Sequence, residues 1–339
     1  MNGAKLLTTV IVAVIICLNS GSFAADQIHD KFQQGVRHVL GKDVPKDTAL
    51  GLDLIGQAAE LGHAPAQFAL GTMLVAGSGV PRNEGDGLAW LERAAQQDYA
   101  PAQTSLGRLL WARARAPADA SNARKWLFSA AEQGDPYAQY LLGRTYAQDS
   151  PSEAVRWYTE SAEQGFALGQ LGLGLIYWKQ DDAKAVHWLR IAAESGSARA
   201  KTYLGYAHAE GVGGLPKSDE MAVRYWREAA VQNEPRAEEA LGWAYEKGRG
   251  VSRNSAEARQ WYERAASHGN HAAKQKLEDS AAANSFGSGV AAAILLGLLV
   301  LGAAGDSGSM PSDGMQGGGF MDMTDPIQLW GAIMMTDNK

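Results

Sequence analysis

Two adjacent small residues recur along this chain at a nearly fixed spacing. The first of each pair is Ala58, Ala94, Ala130, Ser161, Ala192, Ala229 and Ala265, at intervals of 36, 36, 31, 31, 37 and 36 residues. Shortly upstream of most pairs stands an aromatic: Trp90, Trp126, Trp157, Trp188, Tyr225 or Trp261. Downstream comes a Leu-Gly dipeptide ending at Gly71, Gly107, Gly143, Gly174, Gly205 or Gly242. A repeat of this length is one supersecondary unit that cannot bury its own apolar face. Stacked neighbours bury it, so the period predicts a solenoid.

Each unit reads as two helices. Ala138, Leu142 and Tyr146 are four apart and share one helical face. Trp157, Ser161 and Ala162 make the matching stripe on a second helix. The small residues let two backbones approach, and the tryptophan is expected to fill the space between neighbouring units. Gly134, Gly165, Gly196 and Gly269 follow the second helix, where a left-handed C-cap wants glycine. The Leu-Gly glycines fall inside the first helix, at a cost of about 1 kcal/mol against alanine that close packing is expected to offset. Three units carry a Gly-x-Gly turn between their helices, at Gly77–Gly79, Gly211–Gly213 and Gly248–Gly250. The two units of 31-residue spacing have a shorter link, which closure entropy tolerates.

This pattern resembles the Sel-1-like repeat (SLR) family, relatives of the tetratricopeptide repeats. The stretch from Ala237 to Gly269 carries the likeness best, with Leu241-Gly242, Tyr245, the turn ending at Val251, Ala256, Ala258, Trp261-Tyr262 and Ala265-Ala266. The resemblance covers about residues 32–276, roughly seven units. In the first unit Leu52 and Leu54 stand where the aromatic should be, which marks it as an N-terminal cap. The resemblance implies a right-handed superhelical scaffold that binds proteins, and no reaction.

The formal charge of −6 argues against a nucleic-acid binder, which would present a basic face. Residues 1–24 read as a signal peptide. Lys5 is the positive start, Leu6 to Leu18 is uncharged and largely apolar, and Ser22-Phe23-Ala24 offers a cleavage site. The only cysteine, Cys17, lies inside that stretch, so a processed chain has no disulfide framework. No Asn-x-Ser/Thr sequon occurs. Both absences favour a bacterial periplasm over an endoplasmic reticulum lumen.

Near the other end, Phe286 to Gly305 holds no charge and is long enough to span a bilayer. Gly289, Ala293 and Gly297 are four apart, as in packed transmembrane helices. A cleaved signal peptide would put the following tail in the cytoplasm, yet that tail has one lysine, Lys339, against Asp306, Asp313, Asp322, Asp325 and Asp337. The positive-inside rule points the other way. A spanning anchor, a membrane-adherent hairpin and an apolar cap on the solenoid therefore all stay open. Residues 306–339 form a Gly/Met-rich tail that is expected to be disordered. Within it Ile327, Trp330 and Met334 fall on one helical face, which suits either docking in a partner's groove or lying on a membrane.

No catalytic, cofactor or metal constellation stands out. His268 and His271 are three apart without a third ligand, a weak zinc signal. There is no Ser-x-x-Lys motif, and Gly211-Val212-Gly213-Gly214 reads as a turn and not as a phosphate loop. The row of first helices is the more promising surface. Counted from the Leu-Gly glycine, positions −5, −1 and +3 form the buried stripe, while −3 and +1 share another face. Across the units those two positions are Phe68/Thr72, Thr104/Arg108, Tyr140/Arg144, Leu171/Leu175, Thr202/Tyr206 and Glu239/Trp243. Aromatics and arginines are common interface anchors. Arg108 and Arg144 could grip a carboxylate bidentately. The candidate groove is therefore Thr104, Arg108, Tyr140, Arg144, Thr202, Tyr206, Glu239 and Trp243.

The expected architecture is an all-α solenoid over 27–280, followed by a transmembrane helix at 286–305 and the tail at 306–339. The expected role is an exported, membrane-associated adaptor that binds a protein partner in a bacterial envelope or secretion assembly. Neither nucleic acid nor a small-molecule substrate is expected. A lumenal adaptor of eukaryotic quality control and a cell-wall hydrolase are the alternatives.

Overall fold

The structure is a computed structural model that describes residues 25–114, 117–178 and 180–280. The signal segment, the apolar stretch at 286–305 and the tail bearing Ile327, Trp330 and Met334 lie outside the described residues. Those described contain fifteen helices and no strand. None of these helices is long and apolar enough to cross a membrane. The chain divides into two compact units, one through Leu142 and one from Gly143.

The first unit holds α1 (25–40), α2 (Thr48–Glu60), α3 (Ala64–Ala76), α4 (Glu84–Ala95), α5 (Ala100–Arg113), α6 (Pro117–Glu132) and the start of α7 (Pro136–Tyr146). The odd-numbered helix of each hairpin bears the Leu-Gly glycine and is the A helix; its partner is the B helix. Helix ends follow local chemistry. Asp47 and Asn83 cap α2 and α4 by accepting the backbone N–H of Leu50 and Asp86. Pro65 and Pro101 occupy the first turns of α3 and α5, where a missing N–H costs nothing.

The mid-helix glycines have a clear physical reason. A Cβ on Gly71 would lie 2.9 Å from the carbonyl oxygen of Gly87 and from Cγ of Leu91. One on Gly107 would lie 2.7 Å from Cγ of Leu127. The two helices of a hairpin thus touch through bare backbone, and the residue that covers the glycine is the one just after the recurring aromatic. Trp90 and Trp126 are only partly buried, and they pack on the clusters of the preceding hairpins, against residues such as Ile55 and Leu91 respectively. The aromatic joins repeats, while its neighbour closes the hairpin.

The first hairpin is less exceptional than its sequence suggested. Gly35 of α1 plays the Leu-Gly role, facing Gly51 and Ile55 of α2. Its turn is the same as the Gly-x-Gly turns. Gly41 and Asp43 have φ 67° and 61°, against 73° at both Gly77 and Gly79. Asp43 replaces the second glycine in left-handed backbone. The parallel between Val44-Pro45-Lys46-Asp47 and Val80-Pro81-Arg82-Asn83 was the available signal.

The second unit continues the pattern with α8 (Pro151–Glu163), α9 (Ala167–Tyr177), α10 (Asp182–Glu194), α11 (Ala198–Glu210), α12 (Asp219–Ala230), α13 (Pro235–Lys247), α14 (Ser255–Ser267) and α15 (271–280). Gly143, Gly174, Gly205 and Gly242 are covered by Tyr158, Leu189, Trp226 and Tyr262. Tyr225 and Trp261 pack back on the preceding hairpin. The longer turns do more than connect. Gly213 lies against Asp182 and Val186 of α10, and Gly250 against Asp219 of α12. Arg249 then grips Asp219 with two hydrogen bonds of 2.6 and 2.9 Å. A long turn therefore braces its repeat against the preceding B helix.

The capping glycines behave as their spacing predicts. Gly134, Gly165, Gly196 and Gly269 all have positive φ, between 78° and 92°. Asp98 and Asn233, both at φ 57°, take the same place in two hairpins.

Candidate functional site

The A helices carry two rows of inter-repeat contacts, and these decide which side chains are left for a partner. One row lies four residues before the Leu-Gly glycine. Gln67, Gln103 and Gln139 are buried there. Each donates its amide to a carbonyl at the end of the preceding B helix: Ala59 at 3.0 Å, Ala95 at 3.1 Å and Ala131 at 3.2 Å. Helix ends leave such carbonyls without an intrahelical partner. The same glutamines accept from their own hairpin, Gln67 from Gln97 at 2.7 Å and Gln103 from Gln133 at 2.9 Å. Ser195 makes the equivalent bond to Gln170 at 2.9 Å. The recurrence of Gln four residues ahead of the glycine was readable in the sequence and was missed.

The last hairpin has a charged version. Glu238 replaces the glutamine and is fully buried. It accepts from Arg264 Nε at 2.9 Å and contacts His268 Nδ1 at 2.7 Å. A carboxylate cannot donate, so Arg264 supplies the missing donor and bonds the Ala230 carbonyl at 3.1 Å. His268 is thereby a partner of Glu238. Among the described residues, no group of three or more His, Cys, Asp or Glu is arranged to hold a metal ion.

The second row is position −3, which was expected to line the groove. In four hairpins it meets the residue that precedes the next A helix. Phe32 and His63 have ring centroids 5.0 Å apart, and Phe68 and Tyr99 5.6 Å apart. Thr104 Oγ1 donates to Asp135 at 2.5 Å. Asn270 donates to Glu239 at 2.7 Å. These side chains are committed to the seam between hairpins.

The candidate residues accordingly separate. Thr104 is buried at the seam, and Thr202 is fully buried with its hydroxyl donated to the Ala198 carbonyl at 3.1 Å. Trp243 is also buried, with Arg249 over its ring at 5.8 Å and no hydrogen-bond partner for its indole N–H. These three do not offer an open surface. Glu239 is partly exposed but engaged by Asn270. Arg108, Tyr140, Arg144 and Tyr206 are partly exposed. Tyr206 donates to the Arg236 carbonyl at 3.4 Å, and its ring lies 5.5 Å from that of Trp226, tilted by 59°. Arg108 falls in the first unit and Arg144 in the second, each on its own A helix.

Around Tyr206 the second unit gathers a polar and aromatic group. Arg236 donates to the Tyr203 hydroxyl at 3.0 Å, and Trp178 meets Tyr203 edge-on at 5.3 Å. Burial raises the carboxyl of Glu234 above its ordinary range, although Arg199 and Arg236 stand close enough to oppose the shift. The group brings a carboxyl, arginines and aromatic rings together, the residue types that serve in recognition.

The Sel1 repeat pattern matches residues 35–63, 64–99, 100–135, 136–166, 166–197, 198–233 and 235–270. The chain is similar to a protective antigen of uropathogenic Escherichia coli that displays an SLR fold. The two share 30% identity with a TM-score of 0.66, over 75% of this chain and 57% of that one. It therefore spans little more than half the length of that antigen. It is also similar to a Sel1 repeat protein from Oxalobacter formigenes, at 30% identity and a TM-score of 0.59, over 74% of this chain and 76% of that chain. No curated protein matches it.

Proposed function

The chain belongs to the Sel1 repeat family, and on that premise we propose that it is an exported adaptor, held at a bacterial envelope membrane, that binds a protein partner along its A helices. Repeats of this family mediate protein–protein contacts, so a binding scaffold is the coarse function and the rest is our reading. The observation that carries it is the run of seven matched repeats from 35 to 270, which leaves Arg108 and Tyr140 partly exposed on A helices of the first unit and Arg144 and Tyr206 on A helices of the second. Arginine and tyrosine are the residue types that anchor interfaces. Export is supported by the signal-like segment 1–24 and by the likeness to an E. coli protein described as a protective antigen. Membrane association rests on the uncharged stretch 286–305.

The test is site-specific photo-crosslinking in bacterial cells. A photoreactive residue would replace Arg108, Arg144 or Tyr206 in turn, with Arg190 on the exposed face of α10 as the reference position. Discrete adducts at the A-helix positions, absent at Arg190, support the reading. Adducts of equal strength at all four positions, or at none, reject the A-helix assignment. Sequencing the N-terminus of the protein from the same cells tests export, which requires cleavage after Ala24.

A further inference from the structure

Where α1 meets the start of α3, two imidazoles are in direct contact. Nδ1 of His29 lies 3.2 Å from Nε2 of His63, and the ring centroids are 5.4 Å apart. The other nitrogen of His63, Nδ1, accepts the backbone N–H of Ala66 at 3.3 Å and so caps α3. A neutral imidazole has one acceptor and one donor nitrogen. The cap therefore fixes the tautomer: His63 carries its proton on Nε2 and donates it to Nδ1 of His29. The spacing would also suit two ligands of one metal ion, but a ligating Nε2 must be bare, and the cap denies that.

Cap and contact together require both rings to be neutral. Protonating His63 places a hydrogen on Nδ1 and ejects the cap; protonating His29 removes the acceptor. Among the described residues neither ring has an ion-pair partner to reward a positive charge. On α1, Gln33 lies 3.4 Å from His29 Nε2, Asp30 is exposed, and Lys31 is tied to Gln57 of α2 at 2.8 Å. Glu60 at the end of α2 is exposed, and α3 contributes Ala66. The same surface is apolar beneath: Phe32 and Val36 of α1 are 2% and 5% exposed and pack with Ile55, Ala58, Ala59 and Ala66.

We propose that the His29–His63 pair is an acid-sensitive latch that holds α1 against the start of α3 at neutral pH and releases it on acidification. The direction of the proton linkage agrees. Burial, and then the nearness of His29, lowers His63 from 6.5 to about 4. A base lowered by folding gives stability that is complete above its unfolded value and is lost as pH falls from 6.5 toward 4. Acid therefore loosens the first repeat.

Amide hydrogen exchange on the full chain tests this. After correction for the chemical rate, exchange in α1 should speed up about tenfold between about pH 7.5 and about pH 5, relative to α13. His63→Asn keeps a capping oxygen but cannot titrate, and its α1 should show no such rise. A flat profile in the native chain, or a rise undiminished in His63→Asn, overturns the latch. If His63→Asn loses helical structure, His29→Gln replaces it, and the rise must shrink there for the latch to stand.

Discussion

The indole of Trp226 lies directly on Gly205 and donates Nε1–H to the Thr202 carbonyl one turn earlier, at 3.1 Å. The ring occupies the space any side chain at 205 would need. Gly205→Ala should therefore lower stability by about 1–3 kcal/mol, the usual range for overpacking. Gly56, in the middle of α2, has nothing within 4 Å of an added Cβ. There Gly56→Ala should raise stability by about 1 kcal/mol, through helix propensity alone. Urea denaturation of both variants decides the matter. Equal effects would mean that the Leu-Gly glycines are not there for packing.

Glu238 gives a second prediction. Arg264→Ala removes one partner of a fully buried carboxylate and should cost about 3 kcal/mol. Glu238→Gln combined with His268→Gln recreates the neutral pair seen at Gln67 and Gln97, and should cost much less. A double-mutant cycle by denaturation measures the difference. A pair variant as damaged as Arg264→Ala would show that the charge itself is needed.

Asp43 holds a left-handed backbone conformation, φ 61°, where the matching turns use glycine. Because a Cβ is penalised there, Asp43→Gly should stabilise the first hairpin by about 1 kcal/mol. Asp43→Val should destabilise it, since a β-branched side chain tolerates positive φ poorly. Thermal melts of the two variants should move in opposite directions.

The far end of the chain carries a pH dependence of its own. Glu246 of α13 accepts from Tyr262 of α14 at 2.8 Å and pairs with Lys276 of α15 at 2.7 Å. Burial by itself would raise the Glu246 carboxyl, but the bonds from Lys276 and Tyr262 outweigh it and hold the group below its ordinary 4.5. A carboxylate lowered by folding contributes stability that is complete above its unfolded value and disappears as pH falls through the folded one. Protection of the α15 amides should thus fall as pH drops below about 4.5. Glu246→Gln should be less protected at neutral pH and lose this dependence. An unchanged pH profile in that variant would contradict the assignment.

The sequence by itself determined the repeat, the two helices per unit, the turn chemistry and the glycine caps. Each of these is local or strictly periodic: Gly134 needs positive φ because of its neighbours along the chain, and Trp90 and Trp126 pack between hairpins wherever the period places them. Even Gly35 and Asp43, both overlooked, sit at the expected offsets from the next repeat. Which A-helix residues remain for a partner was decided only by the tertiary structure. Thr104 looks like an open groove residue until the start of α7 brings Asp135 to it, and the two are 31 positions apart. Glu239 meets Asn270 in the same way, across the same number of positions. Helical periodicity assigns a residue to a face of its own helix. It carries no record of what the next hairpin lays over that face, because that contact depends on how neighbouring hairpins are offset when their backbones pack.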